Sequence, residues 1–523
     1  MYLVDAKQMR EMDRRTIEAY GLDGRILMEN AGRGATRFFC DRIDRIGAKR
    51  VAIVAGRGNN GGDGFVIARY LAQKKIRATV FLLADAARLS GDALANFNLL
   101  APIKVPVIAI IDEKAFSKYK STLLHQDVFV DAILGTGLNS DVKGFFKKII
   151  DFINQSAKPV LAVDIPSGLN ADTGQICGVC IKAFATATFG FAKIGHMLEP
   201  GAELTGKLKV VDIGIPNFVA EAVDPRVRLT TSNQVADALP KRANAAHKGD
   251  TGHLFVVAGS TGKTGAAIMA TNAALRSGAG LVTLGVAAGL NPILENQVIE
   301  AMTLPLPEVA AGTLGTSALK PILESLEGKR CLALGPGMGT APETVVIVTQ
   351  IVQKCPVPLV IDADGLNCLV GQTEVLKNAK VPIVLTPHPG EMARLAGVDT
   401  KTIGKDRVAF ARTWAQKLGV CLVLKGARTV VAQADGSVFI NPTGNAGMAT
   451  GGMGDVLTGV IAGLITQGFE PEVAARAGVY LHGLAADILA ESVGPVGYLA
   501  TEVMQAIPKA RTVVTELIDG RPQ

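Results

Sequence analysis

Aromatic residues make up only 5% of this 523-residue chain, with a single tryptophan, Trp414, and no stretch interleaves aromatics with basic side chains. Nucleic acid needs stacking rings and a basic track, and neither is present, so nucleic acid is not an expected partner. Cysteine is scarce too: seven in so long a chain do not form a disulfide framework. The one suggestive pair, Cys177 and Cys180 in QICGVC, has no second pair or nearby histidine to complete a zinc set, and packing or turn positions are the simpler reading. No run approaches the ~18 uncharged apolar residues of a membrane span, and the opening MYLVDAKQMREMDRR has no apolar segment of the signal-peptide kind. A cytoplasmic protein that does not engage a membrane is the expectation.

Glycine, by contrast, is plentiful, at 58 residues, beside 48% hydrophobic and 19% charged residues. That is the profile of α/β proteins with many tight turns between strands and helices. The net charge of +7, from 54 basic and 47 acidic residues, suits anionic small molecules. The length exceeds what one core supports and implies two large domains or three ordinary ones.

The densest glycine stretch, NPTGNAGMATGGMGDVLTG (residues 441–459), holds six glycines and one carboxylate, Asp455, and runs into the apolar segment VLTGVIAGLI, which reads as a buried helix. Glycines let backbone amides turn inward, and the free amides of a helix N-terminus carry partial positive charge, so the stretch offers a seat for an anion. An aspartate beside that seat can take a proton from a hydroxyl that receives a phosphoryl group. A plain glycine turn with Asp455 as helix N-cap is the alternative.

Residues 5–39 read as two helices broken near residues 21–24. After them, short β-branched runs at residues 50–56, 78–84, 106–111, 127–135 and 159–166 alternate with helix-length segments, and runs at 185–191 and 208–215 extend the series. This is the βαβ pattern of a doubly wound parallel sheet, whose ligands bind at the carboxyl ends of strands. Three polar clusters stand there: GRGNNGGDG (56–64), Asp131 with Gly135, Thr136, Gly137 and Leu138, and DIPSGL (164–169). The first lacks the dinucleotide G-x-G-x-x-G spacing, and Asn59, Asn60 and Asp63 suggest hydrogen bonds to amides and hydroxyls, or to a cation. Each cluster alone is also explained as strand-end turn chemistry.

The alternation lapses between residues 216 and 250, which places a junction near 217–232. A second series follows at 252–259, 280–286, 330–337, 358–365 and 382–391, then a pair of runs bridged by Ala427 and a hairpin return through Asp435 and Gly436. AGSTGKTGAA (258–267) imitates a phosphate-binding P-loop, but the motif requires a glycine five positions before Gly262, where Val257 stands. No lysine-and-aspartate metal clamp is evident.

In order, KGDTGHLFVVAGSTGKTGAA, GPGMG, DADGLN, TPHPGE, KGART and GGMGDVLTG resemble the ADP/ATP-dependent NAD(P)H-hydrate dehydratases, which have a ribokinase-like fold. GRGNNGGDG, DAILGTGL and DIPSGL are similar to the NAD(P)H-hydrate epimerases. The resemblance covers nearly the whole chain and implies a Rossmann-like epimerase domain, residues 1–222, fused to a dehydratase domain, residues 223–523. It implies repair of hydrated nicotinamide cofactors: epimerisation of the R and S hydrates, and dehydration of the S form through a phosphorylated intermediate. By the same resemblance Asp455 is the base, with Gly454 at the phosphoryl group and Lys425, Gly426, Ala427, Arg428 and Thr429 along ADP or ATP. Ala266, Gly339, His388 and Asp455 contact substrate, and Mg²⁺ is expected because nucleotide phosphoryl transfer needs it. In the first half the implied substrate site is Asn59, Asn60, Gly61, Gly62, Asp63, Gly135, Thr136, Gly137, Leu138 and Asp164, with Asp164 as acid or base. Asn60, Asp131 and Ser167 are the implied K⁺ ligands, oxygen donors suited to a hard cation. A homo-oligomer is expected. A kinase of a small alcohol and a non-catalytic dinucleotide sensor are the competing readings.

Overall fold

The computed structural model describes residues 1–239, 242–310 and 312–519. It divides into two compact units, Tyr2–Val227 and Arg228–Gln523, the latter with Met1.

The first unit is built on a seven-stranded sheet in the spatial order Val107–Ala109, Arg77–Leu82, Arg50–Ala55, Val128–Ala132, Val160–Val163, Ala185–Phe189, Lys207–Val211. Every neighbouring pair is parallel. Alternate side chains of each strand therefore feed two separate cores. Val51, Ile53, Val128 and Val130 pack under the helices Gly24–Arg45 and Asn59–Gln73, while Ala52, Val54 and Phe129 pack with Leu123, Ile149 and Ile153 from the helices Glu113–Leu124 and Gly144–Gln155. A sheet buried on both faces explains the continuous apolar runs of the sequence. The strand order reverses between Arg50–Ala55 and Val128–Ala132, so a crevice opens beyond their carboxyl ends.

The second unit repeats the plan. Its parallel strands run Met302–Leu306, Leu281–Ala287, His253–Val257, Cys331–Leu334, Leu359–Ile361, Ile383–Leu385, Cys421–Leu424, and continue antiparallel through Val430–Ala432 and Val438–Ile440. The strand Met302–Leu306 was not foreseen from the sequence, because Pro305 argues against a strand. It is tolerated since Met302–Leu306 stands at the edge of the sheet. The order reverses between His253–Val257 and Cys331–Leu334.

The helix Met453–Thr466 lies across this second sheet with every residue buried except Gly454 and Asp455. Two of its glycines serve packing: a Cβ on Gly459 would meet the Ala270 carbonyl oxygen at 2.1 Å, and one on Gly463 would meet Ser277 Oγ at 2.1 Å. Only with hydrogen at those positions can the helix Thr264–Ser277 approach so closely. Gly459 thus has a structural role apart from the anion seat. Among the described residues one helix, Pro471–Ser492, is apolar and long enough to cross a membrane, with mean hydropathy 1.2 over its most apolar window. The sequence reading passed over it; 56% of that window is buried within the protein, in the core of this unit.

Candidate active sites

In the first unit the crevice widens into a cavity of about 1250 Å³. Asn59, Asn60, Asp63, Gly135, Thr136, Gly137, Leu138 and Asp164 all line it. Gly61 and Gly62 lie beneath the wall instead: a Cβ on Gly61 would come within 2.0 Å of the Gly56 carbonyl oxygen, and one on Gly62 within 2.8 Å of Met28. Gly61 lets the first turn of the helix Asn59–Gln73 press onto the end of the preceding strand, and Gly62 lets it press onto the helix Gly24–Arg45.

Asp164 follows the strand Val160–Val163 with φ of 62°, in the left-handed region. Aspartate tolerates that region better than most residues, but the conformation still costs about 1–3 kcal/mol and persists only where the surroundings enforce it. Here they do. Its Oδ1 accepts from Lys193 Nζ at 2.5 Å, Thr188 Oγ1 at 2.9 Å and the Phe189 amide at 3.2 Å. Lys193, 1% exposed, also donates to Thr188 Oγ1 at 2.9 Å and to the Phe189 carbonyl at 3.1 Å. Burial pushes the Asp164 carboxyl up, but the Lys193 ammonium outweighs it and leaves the group below the usual carboxylate range. Lys193 was missed from the sequence because its partner lies on another strand end and no local spacing signals the pair.

Asp131 and Ser167 sit behind the cavity wall. Ser167 donates from its amide and its hydroxyl to the two Asp131 oxygens, at 2.7 and 2.6 Å, and its hydroxyl also donates to the Leu134 carbonyl at 3.1 Å. Asn60 Nδ2 donates to that same carbonyl at 3.0 Å, while its Oδ1 is buried without a hydrogen-bond partner among the described residues. Asn60 and Ser167 thus meet at the Leu134 carbonyl, and Ser167 links that carbonyl to Asp131. Burial raises Asp131 to about 6 despite its three hydrogen bonds.

In the second unit, Gly452 is the N-cap of the helix Met453–Thr466, with φ of 88°, and Asp455 stands on the first turn. This removes the reading of Asp455 as the cap. Around it the fold assembles a cluster that the sequence did not reveal. Lys425 Nζ donates to Asp362 Oδ1 at 2.7 Å and lies 3.8 Å from Glu391 Oε2. Thr458 Oγ1 donates to the other Asp362 oxygen at 2.8 Å. Lys425 and Asp362 thus form a buried ion pair between residues 63 positions apart, which no local spacing in the sequence signals. Gly454 lies against it: a Cβ there would be 3.1 Å from Lys425 Nζ. Burial, then repulsion from Asp362, Glu391 and Asp364, raises Asp455 to about 6 although Lys425 opposes the shift. His482, buried nearby, is pushed down to about 4 by burial and by Lys425, and so stays neutral.

Ala363 has φ of 50° and turns the chain so that Asp362 and Asp364 serve different clusters. Asp364 Oδ2 accepts from Lys263 Nζ at 2.8 Å and from the Gly339 amide at 2.9 Å. Ala266 joins them, since a Cβ on Gly337 would meet Ala266 Cβ at 3.1 Å and Lys263 Cβ at 2.9 Å. His388 caps the helix Pro389–Ala396, its Nδ1 accepting from the Gly390 amide at 3.0 Å, and its own amide donates to Glu391 at 2.8 Å. Of the KGART run, Lys425 alone enters the carboxylate cluster. Gly426, Ala427, Arg428 and Thr429 form the turn to Val430–Ala432, which Arg407 clamps by donating to the Ala427 carbonyl at 2.6 Å.

Residues 24–195 match the family described as YjeF-related protein N-terminus, and residues 254–509 match the NAD(P)H-hydrate dehydratase family. The bifunctional NAD(P)H-hydrate repair enzyme Nnr of Moorella thermoacetica is 44% identical over 97% of this chain and 96% of its own. That of Escherichia coli is 35% identical over 96% of this chain and 93% of its own. A crystal structure of the Bacillus subtilis ADP/ATP-dependent NAD(P)H-hydrate dehydratase, co-crystallised with ATP and Mg²⁺, is similar with a TM-score of 0.50 and 32% identity, over 55% of this chain and 99% of that one. Matched at this level along nearly its whole length, the chain belongs to the bifunctional NAD(P)H-hydrate repair enzymes.

Proposed function

We propose that residues 1–222 interconvert the R and S hydrates of NADH or NADPH, and that residues 223–523 dehydrate the S hydrate at the expense of ADP or ATP. The observation that carries the reading is a buried lysine held by an aspartate in each half, with a carboxylate oxygen left to work, on the paired aspartate itself in the first half and on Asp455 beside the pair in the second. In the first half Asp164 Oδ2 is that free oxygen, since Oδ1 takes all three donors. It exchanges the proton of the ring hydroxyl during inversion. In the second half Asp455 takes the proton of the same hydroxyl as the phosphoryl group is transferred to it. Phosphate then leaves where hydroxide could not, expelled by the ring nitrogen lone pair. Gly454 and the helix amides hold the phosphoryl oxygens, and Lys425 with the 426–429 turn lies along the nucleotide.

Among the described residues no three acidic or histidine side chains stand together as a Mg²⁺ ligand set, and both oxygens of Asp362 are taken by Lys425 and Thr458, so the Mg²⁺ that phosphoryl transfer needs would be held chiefly by the nucleotide phosphates. When bound, Mg²⁺ neutralises nucleotide phosphate charge. The oxygens of Asn60, Asp131 and Ser167 fit K⁺, because Asn60 Oδ1 is an acceptor without a donor beside a buried carboxyl. Replacing choline by K⁺ at constant ionic strength is expected to raise the melting temperature of the first unit by several degrees, and Asn60→Leu to remove that response. An equal response in the variant would take Asn60 out of the site. We further propose a cytoplasmic homo-oligomer.

The test of the function is recovery of NADH absorbance from a mixture of both hydrate epimers with Mg²⁺ and ADP or ATP. Wild type should restore NADH fully and release phosphate, and Asp164→Ala should restore only the share present as S epimer. Accumulation of a stable phosphorylated product would favour a kinase, and no turnover with either nucleotide would overturn the reading.

A further inference from the structure

Four ionisable side chains that line the first unit's cavity, Asp13, Asp63, Asp164 and Lys193, stand close enough to feel one another's charge. Lys193 and Asp164 are bound to one another. Asp13 and Asp63 respond only to burial and to neighbouring charges, with no hydrogen bond contributing to either. Asp13 comes from the helix Ala6–Glu18, where Met9, Asp13 and Ile17 recur at four-residue spacing and all line the cavity. That stripe is fixed in place. Asp5 and Gln8 form a capping box, the Ala6 amide donates to Asp172 at 2.7 Å, and Ala6, Met9, Met12 and Thr16 are buried. Asp13 is therefore presented by a rigid element, half-buried, with its carboxyl open to the cavity, whereas Asp63 is set deeper, 8% exposed.

Inverting a carbinolamine centre by ring opening moves two protons, one off the oxygen and one onto the nitrogen. Asp164 alone serves one of them, and Lys193 has its three hydrogens committed. We propose that Asp13 is a second catalytic residue of this half, the proton donor that works opposite the Asp164 carboxylate; the proposal rests on the reading of this site as an epimerase. Asp164 takes the hydroxyl proton as the bond from the carbinol carbon to the ring nitrogen breaks. The electron pair of that bond goes to nitrogen, which takes the Asp13 proton, and the ring opens to an aldehyde and an amine. Rotation about the adjacent carbon–carbon bond turns the other face of the aldehyde to nitrogen. Nitrogen then attacks that carbon, its proton returns to Asp13, and Asp164 gives its proton back to oxygen. Both carboxyl groups end as they began, and nothing is oxidised or reduced.

The electrostatics agree. Burial raises Asp13 to about 6, with Asp164 adding to the rise and Lys193 opposing it, while Asp164 is held low. Environments that separate two carboxyl groups in this way assign one as acid and the other as base. Arg10 on the same helix, Asp63 on the helix Asn59–Gln73, Asp164 and Lys193 are the charged groups around it.

The test uses full-length Asp13→Asn and Asp13→Glu, with R and S hydrates separated chromatographically. Asp13→Asn is expected to lower kcat for epimerisation about 10²- to 10⁴-fold with KM within about threefold of wild type, and Asp13→Glu to recover about tenfold or more of that loss. The decline of wild-type kcat on the alkaline side of pH about 6 should vanish in the asparagine variant. Dehydration of S hydrate by the same preparation should be unchanged, which reports a folded chain. An asparagine variant within about threefold of wild-type kcat, one impaired only in KM, or one that keeps the alkaline decline overturns the proposal alone. A wild type that does not epimerise overturns the reading beneath it as well.

Discussion

Asp455→Asn is expected to abolish NADH recovery from S hydrate, with kcat/KM lowered about 10²- to 10⁴-fold, while epimerisation by the same chain continues. Asparagine keeps the size of the side chain but cannot accept a proton. Asp455 and Gly454 are the two partly exposed positions of the helix Met453–Thr466, and asparagine fits the space of the aspartate, so the loss is chemical. The sign of the pH dependence follows from burial and the surrounding carboxylates, which raise Asp455 to about 6. The base exists above that value and is lost below it. Wild-type kcat/KM should therefore climb as pH rises through about 6 and then level, and the residual activity of the variant should lack that limb. Recovery of NADH within about tenfold of wild type by the asparagine variant would remove Asp455 from the proton transfer.

The second large effect concerns stability. Lys193→Met leaves Asp164 buried with its counter-charge gone, and removing one partner of a buried pair costs about 3–5 kcal/mol. For a unit of this size that lowers the melting temperature by roughly 6–20 °C, and epimerisation should be lost with it. In wild type the folded-state Asp164 lies below its usual value. The pair therefore adds stability that is present above the unfolded carboxylate pKa, about 3.9, and is lost as pH falls through the folded value. In the methionine variant burial acts without Lys193 and the sign reverses, so stability should fall as pH rises from about 4 toward neutrality. Urea unfolding at acid and neutral pH measures both slopes. The double variant Lys193→Met with Asp164→Asn should regain part of the loss, because no uncompensated charge is then buried. A methionine variant as stable as wild type at neutral pH would mean that the pair does not anchor this strand end.

Much of the architecture was legible because the alternation of apolar runs and glycine turns is local. The strands that follow residues 49, 127 and 159, the helix opening at Asn59 and the helix carrying Asp455 all announce themselves within a dozen residues. The partners of the site residues do not. Lys193 meets Asp164 across 29 positions, Lys425 meets Asp362 across 63, and Lys263 meets Asp364 across 101. None of these pairs joins neighbouring strands: Ile383–Leu385 stands between the strands that lead to Asp362 and Lys425, and Cys331–Leu334 between those that lead to Lys263 and Asp364, a placement the strand order decides and no local pattern encodes. His388 shows the converse: local sequence, a histidine before Pro389 and Glu391, already contains the capping box that the structure displays.

The complete engagement of Lys193 bears on the chemistry of carbonyl compounds. An amine becomes a nucleophile only when it holds a free lone pair, and this one is an ammonium whose hydrogens all point to oxygen acceptors beside a carboxylate. A substrate that opens to an aldehyde thus faces a lysine unable to condense with it. On the ring-opening path proposed above, the three contacts of Lys193, one of them to Asp164, would guard the enzyme against self-inactivation through Schiff-base adducts.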